Sequence, residues 1–506
     1  MGSLWNSLWI GVATTILTTI VSLPLALINA RFDYRGKALM SGLLLVPIVM
    51  PPFVGALGIQ KIFAQYGSLN LLLMEWNIIS EPIRWLTEGN HFWVVVILET
   101  LHLYPIMYLN IMAALSNIDP SMEEMASTLG VKKWRQFKDI TWPLARPGYF
   151  AGAIIVFIWA FTDLGVPLLI GFNDTIPVQI FNMVTDVNEN PIGFALVFIV
   201  VVITVVIFLG SKLFISPNKY AMLTRGHVRN PVKPIQSWLV TLGVYAFMLT
   251  VVLLALFPHA SVLLISFSGD WFMTVLPSSL TLSHYEAVFQ QEITVWGIRN
   301  SLYLSALAVL VDLALGVLIA YVIVRKLVPF TSALDSLVMI PLALPGIVLA
   351  FGYVVTYTGT FLDPMENPIP LLVIAYAIRR LPFMVRSAVA GLQQMSVSLE
   401  EASMTFGASR FYTLRKITVP LVTANLIAGA LLCFAYAMLD VSDSLILAMK
   451  DVFYPITKVI YVLSLEPGTG MFVASALGMI AMVILSACII GASVLLGKKM
   501  GEIFRG

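Results

Sequence analysis

The sequence predicts an all-α polytopic membrane protein made of two related halves that run in parallel. Three observations carry this. Hydrophobic residues make up 59% of the 506 residues and charged residues only 11%, against about 25% charged in soluble domains, and the mean hydropathy is +0.93. Apolar runs of about 20 residues recur along the whole length, each long enough to cross a bilayer as a helix; they are continuously apolar rather than alternating, which favours helices over a β-barrel. A polar, basic stretch occurs twice with one spacing: Glu124, Gly130, Ile140 and Pro143 return 277 positions later as Glu401, Gly407, Ile417 and Pro420. A repeat this long and this well registered marks duplicated architecture.

Taken in order, the first half is expected to span the membrane at about 4–30, 41–64, 92–116, 147–171 and 193–215. The second is expected to do so at about 238–266, 298–324, 336–358, 369–392, 422–447 and 472–497, about 11 helices in all. The run at 4–30 is too long for a signal-peptide core and lacks a basic leading region and a clear cleavage site. Pro47 and Pro51, like Pro341 and Pro345, are expected to kink their helices, and the paired kinks are a candidate gate. The domains expected are a first transmembrane domain at 1–215, an irregular basic linker at 216–236 and a second transmembrane domain at 237–506.

The repeat reaches beyond the polar stretch. Asn6-Ser7-Leu8 matches Asn300-Ser301-Leu302 and Arg31 matches Arg325 at an offset of 294, as Pro47, Pro51 and Gly58 match Pro341, Pro345 and Gly352. Pro105 and Leu115 match Pro382 and Leu392 at 277. Six spans separate equivalent points, an even number, so the halves are parallel and related by a pseudo-two-fold along the membrane normal. The second half has an extra helix and an external segment at 268–297 before its Asn300, so the first domain is expected to lack its leading helix.

Orientation follows from the basic residues. Arg31, Arg35 and Lys37, the stretch 132–146, the linker, Arg325 and Lys326, Arg410, Arg415 and Lys416, and the tail with Lys498 and Lys499 fall on one side. The opposite loops carry Asp174, Asp186, Glu189, Asp270, Asp363 and Glu466. The positive-inside rule puts the basic set in the cytoplasm, the N-terminus outside and the C-terminus inside.

Each polar stretch reads as a helix–turn–helix on that inner surface. Asp119 is placed to cap a helix that opens with Pro120, with Glu123 and Glu124 in or near its first turn. Gly130 stops it in a left-handed turn, and a second short helix runs from about Lys132 to Thr141 before Pro143. The second copy repeats this from Ser398 through Gly407 to Pro420. Ala126 and Ser403 are small enough for another protein to approach closely.

The spacing E-x-A/S-x3-G-x9-I-x2-P resembles the EAA loop of type I ABC importer permeases. Both copies match at Glu, Gly, Ile and Pro; Met125 and Ser403 depart from the pattern. The resemblance covers both halves and implies a fused permease with two domains of the type I ABC importer (MetI-like) fold. It further implies that Glu124, Ala126, Gly130, Ile140 and Pro143, with Glu401, Ser403, Gly407, Ile417 and Pro420, form coupling loops for two copies of an ATP-binding subunit. Alternating access, driven by that motor, is the mechanism it implies. A periplasmic solute-binding protein would deliver the substrate, and the lipid bilayer of a prokaryotic inner membrane would surround the chain. ATP and Mg are expected on the partner subunit, with no cofactor here. A P-loop needs G-x4-G-K-[ST], and Gly36-Lys37-Ala38 and Gly497-Lys498-Lys499 lack the hydroxyl residue. No enzyme activity and no nucleic-acid partner are expected. The stretch Asp163-Leu164-Gly165-Val166-Pro167 and the linker Lys219-Tyr220…Thr224-Arg225-Gly226 look most like the ferric iron branch; thiamine, aminoalkylphosphonate or a polyamine are the alternatives.

Within the membrane, Asp163 and Asp440 correspond at the 277 offset, and Asp443 follows one turn later. Ionisable residues at such depth are functional candidates. One reading has Asp163, Asp440 and Asp443 lining the mouth of a pathway that favours a cation; the other pairs Asp440 and Asp443 with Arg379 and Arg380 in a structural ion pair. Glu99 and His102 are assigned to packing. The two cysteines, Cys433 and Cys488, lie in apolar runs and suggest neither a disulfide nor a metal site. An ion-coupled secondary transporter would account for parallel halves but not for paired docking loops, and a membrane enzyme would need a catalytic cluster that the sequence lacks.

Overall fold

A computed structural model describes residues 2–116, 118–184, 192–215 and 233–496. The linker motif at 219–226, Asp186, Glu189 and the basic tail lie outside the described residues.

The chain is helical from its start because lipid offers no hydrogen bonds, so each apolar segment must satisfy its own backbone. Helix α1 (Gly2–Arg31) leads into a two-residue strand β1 (Phe32–Asp33), then α2 (Lys37–Leu45), α3 (Pro52–Phe63), α4 (Ser68–Glu75) and α5 (Glu88–Ser116). The surface pair α6 (Pro120–Thr128) and α7 (Lys133–Gln136) follows, then α8 (Trp142–Thr162), α9 (Gly165–Ile170), α10 (Ile176–Asn182) and α11 (Ile192–Ile215). Strand β2 (Lys233–Pro234) pairs in parallel with β1 and precedes α12 (Trp238–Phe267). The second half has α13 (Ser283–Gln290), α14 (Glu292–Val324), α15 (Thr331–Ala343), α16 (Gly346–Tyr357) and α17 (Ile369–Gln394). It continues with the surface pair α18 (Ser398–Thr405) and α19 (Arg410–Thr413), then α20 (Val419–Leu421), α21 (Thr423–Met438), α22 (Ser442–Leu447), α23 (Ile456–Leu465) and α24 (Gly470–Leu496).

Among the described residues, seven helices are long and apolar enough to cross a bilayer, or ten if each bent pair is one span. Helix α17, 26 residues long but carrying Arg379, Arg380 and Arg386, completes the eleven expected. The segments expected as spans at 41–64 and 336–358 are not continuous helices. They bend by 84° and 93° at Pro47–Pro51 and Pro341–Pro345, because proline removes a backbone donor and crowds the preceding turn. In the first bend two histidines add side-chain donors: His102 Nδ1 donates to Pro47 O at 3.1 Å and His259 Nε2 to Pro51 O at 3.0 Å.

The helices fall into two packed units, α1 to α12 and α13 to α24. The first is built on mutual packing of α1, α5 and α8, and the second on α14, α17 and α21 in the corresponding places. Small residues let these helices close: a Cβ at Gly152 would meet Asn110 Cβ at 3.0 Å, and one at Gly429 would meet Ser387 Cβ at 2.7 Å. The repeated Asn-Ser pair has one task in both units. Ser7 Oγ accepts from Ile176 N at 2.9 Å and Ser301 Oγ from Ile456 N at 2.7 Å, so the first helix of each repeat anchors the start of α10 or α23. Packing and sequence repeat divide the chain differently at one helix. Helix α12 precedes the second repeat but lies on α3 of the first unit, where Gly58 leaves room: a Cβ there would meet Ser261 Cβ at 2.8 Å.

Candidate functional site

The two surface helix pairs open differently but close by the same local chemistry: α18 has Val397 before its first residue and no side-chain cap, whereas α6 is capped. Asp119 Oδ1 accepts from Ser121 N at 2.9 Å, and Pro120 fills the first position of α6, where an amide would have no partner in any case. Gly130 has φ 74° and Gly407 φ 86°, a conformation open to glycine at little cost. Past each glycine the chain closes back on its helix, with Val131 N on Ala126 O at 3.0 Å and Ala408 N on Ser403 O at 3.2 Å. Each second short helix runs on through a π-turn, Phe137–Thr141 and Leu414–Thr418, equivalent in the two repeats. Ile140 and Ile417 lie half-buried in these turns, and Pro143 and Pro420 open the helices beyond them.

Ala126 and Ser403 are buried within their own units, so the expectation that they face an approaching protein is corrected. Ser403 Oγ instead meets Thr413 Oγ1 of α19 at 2.9 Å. The outward face is different in kind. Glu124 and Glu401 are exposed, beside Met125, Trp134 and an 82% exposed Leu129 in the first copy, and beside Phe411, Tyr412 and a 92% exposed Phe406 in the second. Large apolar side chains standing in a polar, basic surface are candidates for contact with another protein.

The neighbouring glutamates point the other way. Glu123 bonds Arg31, and Glu400 bonds Arg325. Sequence reading placed Glu123 in or near its helix's first turn with no further task and did not single out Glu400. The available signal was the doubled Glu in both copies together with the already matched Arg31 and Arg325.

In the membrane region the second unit gathers four of the predicted residues. Arg379 Nη1 lies 2.5 Å from Asp440 Oδ2 and 3.1 Å from Asp443 Oδ2, and Arg380 Nη2 lies 2.7 Å from Asp440 Oδ2. Asp312 of α14, fully buried, adds a third carboxyl beside Arg380 and Cys433. Asp440 also caps α22, accepting from Asp443 N at 2.9 Å, as Asp163 caps α9 by accepting from Val166 N at 2.8 Å. The structure thus gives both equivalent aspartates one local role at a helix start.

The rest of the arrangement is not repeated. At the 277 offset His102 stands where the second half has Arg379, and Glu99 where it has Tyr376. Glu99 is buried and lies near Asp163. Neither carboxyl forms an ion pair among the described residues. Among those residues no group of three or more His, Cys, Asp or Glu is disposed to hold a metal ion.

Comparison with known proteins follows from this geometry. The family described as binding-protein-dependent transport system inner membrane component matches residues 11–216 and 312–500. The ferric transport system permease protein FbpB of Actinobacillus pleuropneumoniae is 28% identical over 497 residues, covering 96% of this chain and 70% of its own length. FbpB 1 of Haemophilus influenzae is 28% identical over 457 residues, covering 88% and 70%. Among solved structures, a bacterial ABC transporter involved in alginate import aligns with 51% of this chain and 94% of its own at 18% identity and a TM-score of 0.42.

Proposed function

Because the chain belongs to the binding-protein-dependent transport system inner membrane component family, we propose that it is the permease of an ATP-driven ABC importer that carries ferric iron inward. The observation that carries this reading is the duplicated surface helix pair, with exposed aromatic and aliphatic side chains at matched places in both halves. A motor of two like subunits needs two like contact points. On this reading the ATP-binding subunit is a separate chain present in two copies, with ATP and Mg bound there. Glu124, Gly130, Glu401 and Gly407 belong to the coupling loops. The basic loops face the cytoplasm of a prokaryotic inner membrane, the N-terminus lies outside, and an external binding protein delivers the solute.

Iron is supported by the ferric transport permease of Actinobacillus pleuropneumoniae, which aligns with 96% of this chain, and by buried carboxyls. Asp440 and Asp443 of the second unit are paired with Arg379 and Arg380. Glu99 and Asp163 of the first unit, like Asp312 of the second, form no ion pair among the described residues, and such carboxyls are suited to a passing cation. The test is uptake of radiolabelled ferric iron into proteoliposomes holding the chain, its ATP-binding subunit and its binding protein. Uptake should need ATP and saturate with ferric iron; ATP-dependent uptake of thiamine or a phosphonate in its place would reassign the substrate.

A further inference from the structure

We propose that Glu123 and Glu400, each with an arginine and a threonine of its own half, form two latches that pass movement of the surface helices to the first helix of each repeat. This rests on the permease reading above. In the second unit Arg325 Nε and Nη2 donate to Glu400 Oε2 and Oε1 at 2.8 and 3.1 Å, and Thr418 Oγ1 donates to Oε1 at 2.8 Å. In the first unit Arg31 Nη2 and Thr141 Oγ1 each donate to Glu123 Oε1 at 2.5 Å. All three positions correspond between the halves at the repeat offsets. Each latch therefore ties together three elements: the end of the repeat's first helix, the start of the surface helix, and the last residue of the π-turn.

The chemistry of this join decides what it can transmit. Helix α18 buries only Glu400 and Ser403, so it is held by polar contacts rather than by an apolar face. Apolar contact is non-directional and permits sliding. A two-pronged guanidinium–carboxylate bond fixes both distance and direction. The Glu400 carboxylate cannot part from Arg325 without standing uncompensated in a nearly dry site. Displacement of α18 by a docked subunit would then carry the Arg325 end of α14 with it. Thr418 places the same carboxylate on the π-turn, an irregularity often kept at functional positions. Glu123 and Glu400 act through their arginines and are positioning residues. The latches differ in stiffness: the Glu400 and Arg325 side chains are 3% and 11% exposed, those of Glu123 and Arg31 28% and 36%. Solvent screening weakens the first-half pair.

Two readouts test this. Hydrogen–deuterium exchange of the purified chain in lipid nanodiscs reads the latch without any partner, and uptake per ATP hydrolysed by the complete transporter reads transmission. Glu400→Gln should speed exchange of the α18 amides about tenfold or more, the loss expected for a charged hydrogen bond, and lower uptake per ATP by a similar factor. The exchanged pair Arg325→Glu with Glu400→Arg should recover part of both. Thr418→Val, which keeps the ion pair, and Glu123→Gln, in the wetter latch, should each give smaller effects in the same direction. Unchanged α18 exchange in Glu400→Gln overturns the latch. Faster exchange with uptake per ATP at the wild-type level overturns transmission. A wild-type chain that engages no ATP-binding subunit defeats the permease reading, and the exchange result still decides the latch.

Discussion

Arg379 holds Asp440, Nη1 to Oδ2, at 2.5 Å in a buried part of the second unit. Arg380 reaches the same oxygen at 2.7 Å, and Asp443 takes a further contact from Arg379 at 3.1 Å. Removing one member strands a desolvated charge, so Asp440→Ala should destabilise the unit by about 3–5 kcal/mol. Thermal unfolding in detergent measures this. An unchanged unfolding temperature with transport lost would move these residues from scaffold to pathway.

Gly407 has φ 86°, and proline is confined to φ near −65°. Gly407→Pro should therefore disrupt the turn between α18 and α19 and abolish uptake while membrane insertion survives. Gly407→Ala should cost about 1 kcal/mol and leave measurable transport. Quantifying the variant in isolated membranes alongside uptake separates the two effects; normal uptake by Gly407→Pro would remove the coupling assignment.

A side chain at Gly429 has nowhere to go, since its Cβ alone would meet Ser387 Cβ at 2.7 Å and Ser387 Oγ at 2.9 Å. Gly429→Leu should force α17 and α21 apart and cost about 1–3 kcal/mol through overpacking. Lower thermal stability with the ATPase partner still bound is the expected outcome. A neutral result would mean the crossing is looser than these distances imply.

The carboxyl pair of Glu99 and Asp163 has no arginine partner among the described residues. Glu99→Gln and Asp163→Asn should each slow ferric uptake about tenfold, on the scale of one lost charged contact, without preventing assembly. Initial rates across iron concentrations measure this. Unaltered rates in both variants would confine Asp163 to holding the start of α9 and Glu99 to packing.

Much of the architecture was legible in the sequence because lipid imposes long apolar runs and because the chain repeats itself. The Asn6-Ser7 and Asn300-Ser301 match marked the repeat, and Gly130 and Gly407 foretold two helix stops. The prolines at 47, 51, 341 and 345 announced kinks, but not bends of 84° and 93°, since hydropathy averages across a break as readily as across a straight helix. The placement of α12 on α3 was hidden, because sequence order orders repeats and not neighbours. The π-turns have no residue signature. At the surface pairs the motif drew attention to Glu124 and Glu401, which face outward, whereas the ion pairs belong to the adjacent Glu123 and Glu400. One residue along a helix rotates a side chain by about 100°, and spacing alone does not say which of two adjacent glutamates faces inward. Glu99 lies in α5 and Asp163 just past the end of α8, and only the fold brings them together.

The most direct test of the central claim is gentle purification of the tagged chain from its native membrane, with mass spectrometry of what accompanies it and an assay of ATP hydrolysis. The account predicts two copies of one ATP-binding subunit per chain and ATPase activity that rises with an iron-loaded binding protein. A chain that purifies alone, and drives uptake in proteoliposomes on an ion gradient without ATP, would contradict it.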